Sequence, residues 1–295
     1  MQFCNEAGCS PYSVSENGLC RFVAHLADVN LKHQTIKSYL SANRFGQIMA
    51  GYGDPFLSSM PILEYLLRGI KYNQAKQCPE SKRTKVPVTP KILLQMRAVL
   101  VKSARNPDNI MLWAACAMCF FGFLRSGEIS APSSSQYDST AHLMVDDVQV
   151  DSREHPSVVR VRIKASKTDP FRRGVLLYLG RTDNLLCPVA AITAYIASRG
   201  SDPGPFFRFE KGGYLTHESF VKRVRAVMLE AGLEAQRYSG HSFRVGAATT
   251  AAARGVEDSL IRTLGRWNSS AYLLYIQVPQ ERLAAVSTVL SRTSD

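Results

Sequence analysis

The chain contains no apolar run of the roughly 18 residues a membrane-spanning helix needs. Its opening, MQFCNEAGCS, lacks the basic-then-apolar pattern of a secretory signal. Both absences point to an intracellular protein that is neither inserted nor exported. Acidic residues are also in short supply, with 24 Asp and Glu against 36 Lys and Arg in 295 residues, a formal charge of +12. Such an imbalance suits a polyanionic partner, nucleic acid or an anionic surface, and composition does not choose between them. The seven cysteines are scattered, and only Cys116 and Cys119 have a ligand-like spacing. They sit in the apolar run IMLWAACAMCFFGFL without a second pair or a nearby histidine, so the expectation is buried reduced thiols and no metal site.

What is present is mostly helical patterning. Amphipathic segments at about Ser15 to Val29, His33 to Met49 and Ile62 to Gln74 predict a small helical domain over residues 1–79. The opening residues read as the tail of a further helix, so this domain is expected to be truncated at its N-terminus. ESKRTKVPVTP, basic and marked by prolines, reads as a linker over residues 80–90, and a second domain is expected over 91–295. There, Lys91 to Ser103 is amphipathic, and Asn109 to Arg125 is apolar all round and must be buried. Leu143 to Val150, Val158 to Lys164 and Val175 to Leu179 read as strands, the last two joined by a turn in KTDPFRRG. From Pro188 onward helices return, with Gly232, Gly255 and Gly265 as natural C-caps. The fold class expected is mainly α with a small antiparallel β-sheet.

Several charged residues stand where chemistry is possible. Arg125 and Glu128, in FLRSGEI, follow directly on the apolar helix; an i,i+3 ion pair is the ordinary reading, but a rigidly held guanidinium also suits a phosphate. In VVRVRIK, Arg160, Arg162 and Lys164 alternate with aliphatics, giving one cationic strand face, and Lys167 follows at the hairpin tip with Arg172 and Arg173 beyond it. A solvated sheet face is the plain alternative. His241 and Arg244 stand three apart in GHSFRVGAA, so a helix would place both on one side near its start. In GRWNSSAYLLYI, Trp267 and the i,i+3 pair Tyr272 and Tyr275 could equally be packing residues.

In chain order these motifs resemble the tyrosine recombinase (phage integrase) family. GHSFRVGAA, the GRW turn and the YIQ segment look most like Cre recombinase and the tyrosine recombinases of eukaryotic mobile elements such as Cryptons and DIRS-like retrotransposons. The resemblance implies a two-domain DNA clamp, a helical core-binding domain followed by a catalytic domain. It assigns Arg125 and Arg244 to the scissile phosphate, Glu128 to bracing Arg125, Lys167 to the hairpin lysine, His241 to proton transfer and Tyr275 to the nucleophile, with Tyr272 as runner-up. Trp267 would fill the third site, although the interval from Arg266 to Tyr275 fits the common spacing better, and the two stay open. Lys82, Arg83, Lys85, Arg160, Arg162, Lys164, Arg172 and Arg173 are the expected DNA contacts.

The implied reaction is strand cleavage through a 3′-phosphotyrosyl bond, free of metal, ATP and other cofactors. The implied partners are double-stranded DNA and three further copies in a tetramer, with the apolar face of Gln280 to Leu290 docking between protomers. In a eukaryotic host the protein would act in the nucleus. A mobile-element-derived DNA-binding protein without recombination activity and a type IB topoisomerase-like enzyme are the alternatives.

Overall fold

The computed structural model describes residues 2–8, 10–12, 14–77, 86–102, 106–166, 169, 171–267 and 273. The chain divides into two compact units, Met1–Arg83 and Thr84–Asp295.

In the first unit a short helix, α1 (Gln2–Ala7), precedes three longer ones, α2 (Glu16–Asp28), α3 (His33–Met49) and α4 (Pro61–Gln77). Helix α2 starts where the Ser15 side chain accepts a hydrogen bond from Gly18 N at 3.2 Å, a satisfied N-cap. Apolar residues at helical spacing, Leu19, Val23 and Leu26 from α2, Ile36 and Leu40 from α3 and Leu63 from α4, close into one core. The turn between α2 and α3 is fixed from α4, where Gln74 accepts from His33 N at 2.8 Å and donates to Leu31 O at 2.9 Å.

The second unit is built around α6 (Pro107–Phe121), buried along most of its length as its apolar composition requires. Helices α5 (Pro90–Val101), α8 (Pro188–Arg199), α9 (His217–Glu230) and α10 (Gly240–Ala253) surround it, with the one-turn α7 (Ser126–Ile129) and α11 (Asp258–Gly265) at one end. Strands β1 (Val148–Val150), β2 (Val158–Ile163) and β3 (Val175–Gly180) form an antiparallel sheet in the order β1-β2-β3. The period-2 reading of β2 holds: Val159, Val161 and Ile163 are buried, while Arg160 and Arg162 face outward opposite Tyr178 and Leu176. The architecture is the mainly helical one with a small antiparallel sheet that the patterning predicts.

Several local readings change. The strand expected over Leu143 to Val150 is confined to Val148–Val150, because Val145–Asp147 forms a 3-10 turn in which Asp147 accepts from Met144 N at 2.8 Å. The apolar helix stops at Phe121 rather than running to Arg125, because Phe123 takes a left-handed conformation, φ +50°, that no helix tolerates. Gly265 is not the left-handed cap of α11; that conformation belongs to Arg266, φ +54°. Gly265 is required for a different reason, since a Cβ there would lie 1.7 Å from the Trp267 ring. Finally, Val86 and Val88, within the stretch read as linker, are pinned to the second unit by hydrogen bonds to Arg237 O at 3.0 Å and Ser242 O at 2.9 Å. Cys116 and Cys119 are fully buried on α6, and burial pushes both thiols up in pKa.

Candidate nucleic-acid active site

Three segments far apart in sequence meet at the end of α6: residues 122–128, the start of α10, and the turn after α11. Helix α10 approaches so closely that a Cβ on Gly240 would fall 2.0 Å from Ser126 Oγ, and one on Gly246 would fall 2.0 Å from Val88 O. Glycine at 240 lets the first turn of α10 lie against the Arg125 segment, and glycine at 246 lets its second turn lie against the main chain of Val88. Ser126 Oγ in turn lies 2.8 Å from Nδ1 of His217, a histidine with no motif around it in the sequence.

Arg244 draws the three segments together. It is 1% exposed, donates from Nη1 to Phe123 O at 2.6 Å and from Nη2 to Gly265 O, and stacks its guanidinium 4.4 Å from the centre of the Trp267 ring. Trp267 is itself buried, its ring nearly perpendicular to that of Phe123 at a centroid distance of 6.4 Å. One hydrogen bond from each Nη of Arg244 therefore goes to a carbonyl, and in this arrangement the guanidinium is buried beneath the Trp267 ring.

Glu128 organises the remaining cations. Its Oε1 accepts from Arg125 Nη1 at 3.0 Å, and its Oε2 accepts from Arg125 N at 2.9 Å and from Arg266 Nη2 at 2.8 Å. The Arg125 side chain remains 27% exposed and open to a ligand, while that of Arg266 is 11% exposed. His241 stands at the start of α10 within the field of Arg244 and Arg125. Burial first, then those two positive charges, lower its pKa and favour the neutral imidazole.

The basic hairpin stands beside this cluster. Arg266 lines a hollow of about 260 Å³ together with Ser166, Asp169 and Arg173, residues that bracket position 167. Lys167 itself, Tyr272, Tyr275, Lys82, Arg83, Lys85 and the 280–290 segment lie outside the described residues. Of the other expected DNA contacts, Arg160 and Arg162 are exposed, Arg172 is exposed 3.9 Å from Asp138, and Arg173 sits 5.6 Å over the ring of the exposed Phe171. Lys164 is different: its Nζ binds Asp147 at 2.5 Å and Ser139 O at 2.7 Å, which ties a loop to the strand and leaves the amine engaged. Sequence reasoning missed this pairing, the Ser126 and His217 contact, and the bridge from Arg266 to Glu128. Only the last left a trace, in the spacing from Arg266 to Tyr275.

No protein-family model matches the chain, and no curated protein matches it. Solved structures do. The integrase of transposon Tn1549 in complex with transposon right end DNA superposes with a TM-score of 0.64 at 14% identity, covering 96% of this chain and 88% of the other. XerH site-specific recombinase bound to palindromic difH substrate in a post-cleavage complex gives 0.62 at 13% identity over 95% and 73%. XerA recombinase gives 0.52 at 14% identity over 95% of this chain and all of that one. Among the described residues no helix is long and apolar enough to cross a membrane. The chain has the fold of the tyrosine recombinases.

Proposed function

We propose that this protein is a site-specific DNA recombinase that cuts and rejoins double-stranded DNA through a covalent 3′-phosphotyrosyl intermediate, acting as a homotetramer. The observation that carries the reading is the convergence of Arg125, His241, Arg244 and Arg266 from three segments, with Glu128 held between Arg125 and Arg266, on a fold shared with recombinases bound to DNA.

In this reading Arg125 meets a nonbridging oxygen of the scissile phosphate and stabilises the charge that grows there. Arg244 joins it once the Trp267 turn has lifted. The Tyr275 phenol, a weak nucleophile with a pKa near 10, attacks phosphorus and passes its proton to a base. His241 suits that role, because its lowered pKa keeps the imidazole neutral and able to accept a proton. Lys167 protonates the departing 5′ oxygen, and reversal onto a partner strand's 5′ hydroxyl reseals the DNA. Arg160, Arg162, Arg172 and Arg173, with Lys82, Arg83 and Lys85, contact the backbone. Residues 280–290 dock on a neighbouring protomer, and in a eukaryotic cell the site of action is the nucleus.

One observation favours a second reading. With both Nη atoms of Arg244 held by carbonyls, the same fold could bind DNA without cutting it. A nicked suicide substrate separates the two. The recombinase reading expects a covalent adduct that disappears in Tyr275→Phe and persists in Tyr272→Phe; no adduct on any member of a random DNA library leaves DNA binding alone.

A further inference from the structure

Arg266 has a backbone that asks for glycine and a side chain that only arginine provides. Its φ of +54° lies in the left-handed region, at a cost of about 1 kcal/mol for a residue with a Cβ. The guanidinium is almost wholly enclosed, and burial works against its charge while Glu128 restores it. It grips the Arg125 segment twice. In front of Arg125 its Nη1 reaches Gly122 O at 3.4 Å and its Nη2 reaches Phe123 O at 3.3 Å. Behind Arg125 its Nη2 takes Glu128 Oε2 at 2.8 Å, leaving Oε1 turned to the Arg125 guanidinium. Trp267, the neighbouring candidate for this place, spends its ring on Gly265, Phe123 and the face of Arg244.

We propose that Arg266 is a positioning residue for strand cleavage, locking Glu128 and the 122–125 backbone so that Arg125 presents its guanidinium to the scissile phosphate in one orientation. The proposal rests on the recombinase reading for its reaction, although the geometry it predicts at Arg125 does not. Misplacing a group that meets the reacting phosphate by about 1 Å costs roughly 100-fold in rate. Arg266 acts through Glu128, so the two residues form one unit.

The informative variant is Arg266→Gly, which removes the guanidinium while relief of the left-handed strain offsets part of the lost ion pair, with folding checked by its urea midpoint. Single-turnover adduct formation at saturating DNA is expected to fall roughly 100-fold while DNA Kd changes less than about twofold. Arg266→Lys should recover part of the rate. Glu128→Gln combined with Arg266→Gly should be no slower than the slower single variant. Wild-type cleavage in Arg266→Gly, or rate losses that multiply in the double variant, overturns the proposal. A second readout needs no cleavage. The side-chain 15N signals of Arg125, assigned by their loss in Arg125→Lys, should show hindered guanidinium rotation in the wild type and free rotation in Arg266→Gly. Equal rotation in both overturns the proposal, whereas a wild type that makes no adduct yet shows hindered rotation counts against the recombinase reading alone.

Discussion

Glu128 and Arg266, 138 positions apart, meet at 2.8 Å, and Arg125 occupies the other oxygen of the same carboxylate. A buried carboxylate between two guanidinium groups is held by attraction on both sides, and losing it leaves the more enclosed cation without its counter-charge. Arg266 is that cation, at 11% side-chain exposure against 27% for Arg125. The pairing therefore has both a structural and an electrostatic consequence, and variants at the carboxylate read the two together.

Glu128→Gln keeps the shape and removes the charge. Breaking a buried pair from one side costs about 3 kcal/mol or more, so urea unfolding of the full chain should show the second unit melting at clearly lower denaturant. Glu128→Asp, which keeps charge but shortens reach, should cost less. Unfolding midpoints within error of the wild type for Glu128→Gln would mean that water screens this carboxylate after all.

The face of Trp267 over Arg244 gives a second expectation. Truncation to alanine removes the ring that covers the guanidinium and opens a cavity, at a cost of about 3 to 5 kcal/mol. Trp267→Phe retains an aromatic face and should lose nearer 1 kcal/mol. Thermal denaturation of both variants measures the difference. Equal losses would show that neither the cavity nor a retained aromatic face sets the cost, and that it lies in something the indole alone supplies.

Two close approaches of α10 can be ranked. In Gly246→Ala the new Cβ meets the main chain of Val88 at 2.0 Å, and main chain held by a hydrogen bond to Ser242 O has no easy way to yield. In Gly240→Ala the new Cβ meets Ser126 Oγ, which can rotate at the expense of its contact with His217, and Ser126 Cβ at 2.7 Å, which needs a smaller shift than the main chain at Val88. Gly246→Ala should therefore destabilise by about 2 to 3 kcal/mol or more and Gly240→Ala by less, read as urea midpoints. The reverse order would contradict the packing described for this helix.

The helices of the first unit and the cationic strand were legible because each shows one strong period, 3.6 for Leu19, Val23 and Leu26 and 2 for Val159, Val161 and Ile163. The end of α6 was not, since the apolar run continues through Phe123 and Leu124; the helix closes on a left-handed Phe123 with Leu124 N donating to Cys119 O at 3.0 Å, and Phe123 O is bound by the distant Arg244 and Arg266. Gly265 misled for a related reason. A glycine at a helix end normally signals a left-handed cap, whereas here its missing side chain makes room for Trp267 and the left-handed residue is the next one. Sequence pattern placed Arg125, Glu128, His241 and Arg244 as candidates. It gave no means of seeing that Arg244 would be enclosed by carbonyls, or that Lys164 would be taken up by Asp147, because both depend on partners distant in the chain.

The pH dependence of stability tests the environment of His241. Burial and the positive charges of Arg244 and Arg125 lower its folded-state pKa below the ordinary value of 6.5. Below pH 6.5 the unfolded chain then binds a proton that the folded chain refuses, so the unfolded state gains relative to the folded one as pH falls. The contribution of His241 is thus fully present above that pH, diminishes as pH drops through it, and stops changing once the folded-state pKa is passed. His241→Gln removes the titration and keeps a polar side chain of similar reach. Urea midpoints taken from about pH 8 to about pH 5 should fall more steeply for the wild type than for the variant, with every other histidine cancelling in the comparison. Parallel curves for the two proteins would place the imidazole in open water, away from both guanidinium groups. A steeper fall in the variant would mean that the folded state favours the imidazolium, which would remove His241 as a base for the tyrosine proton.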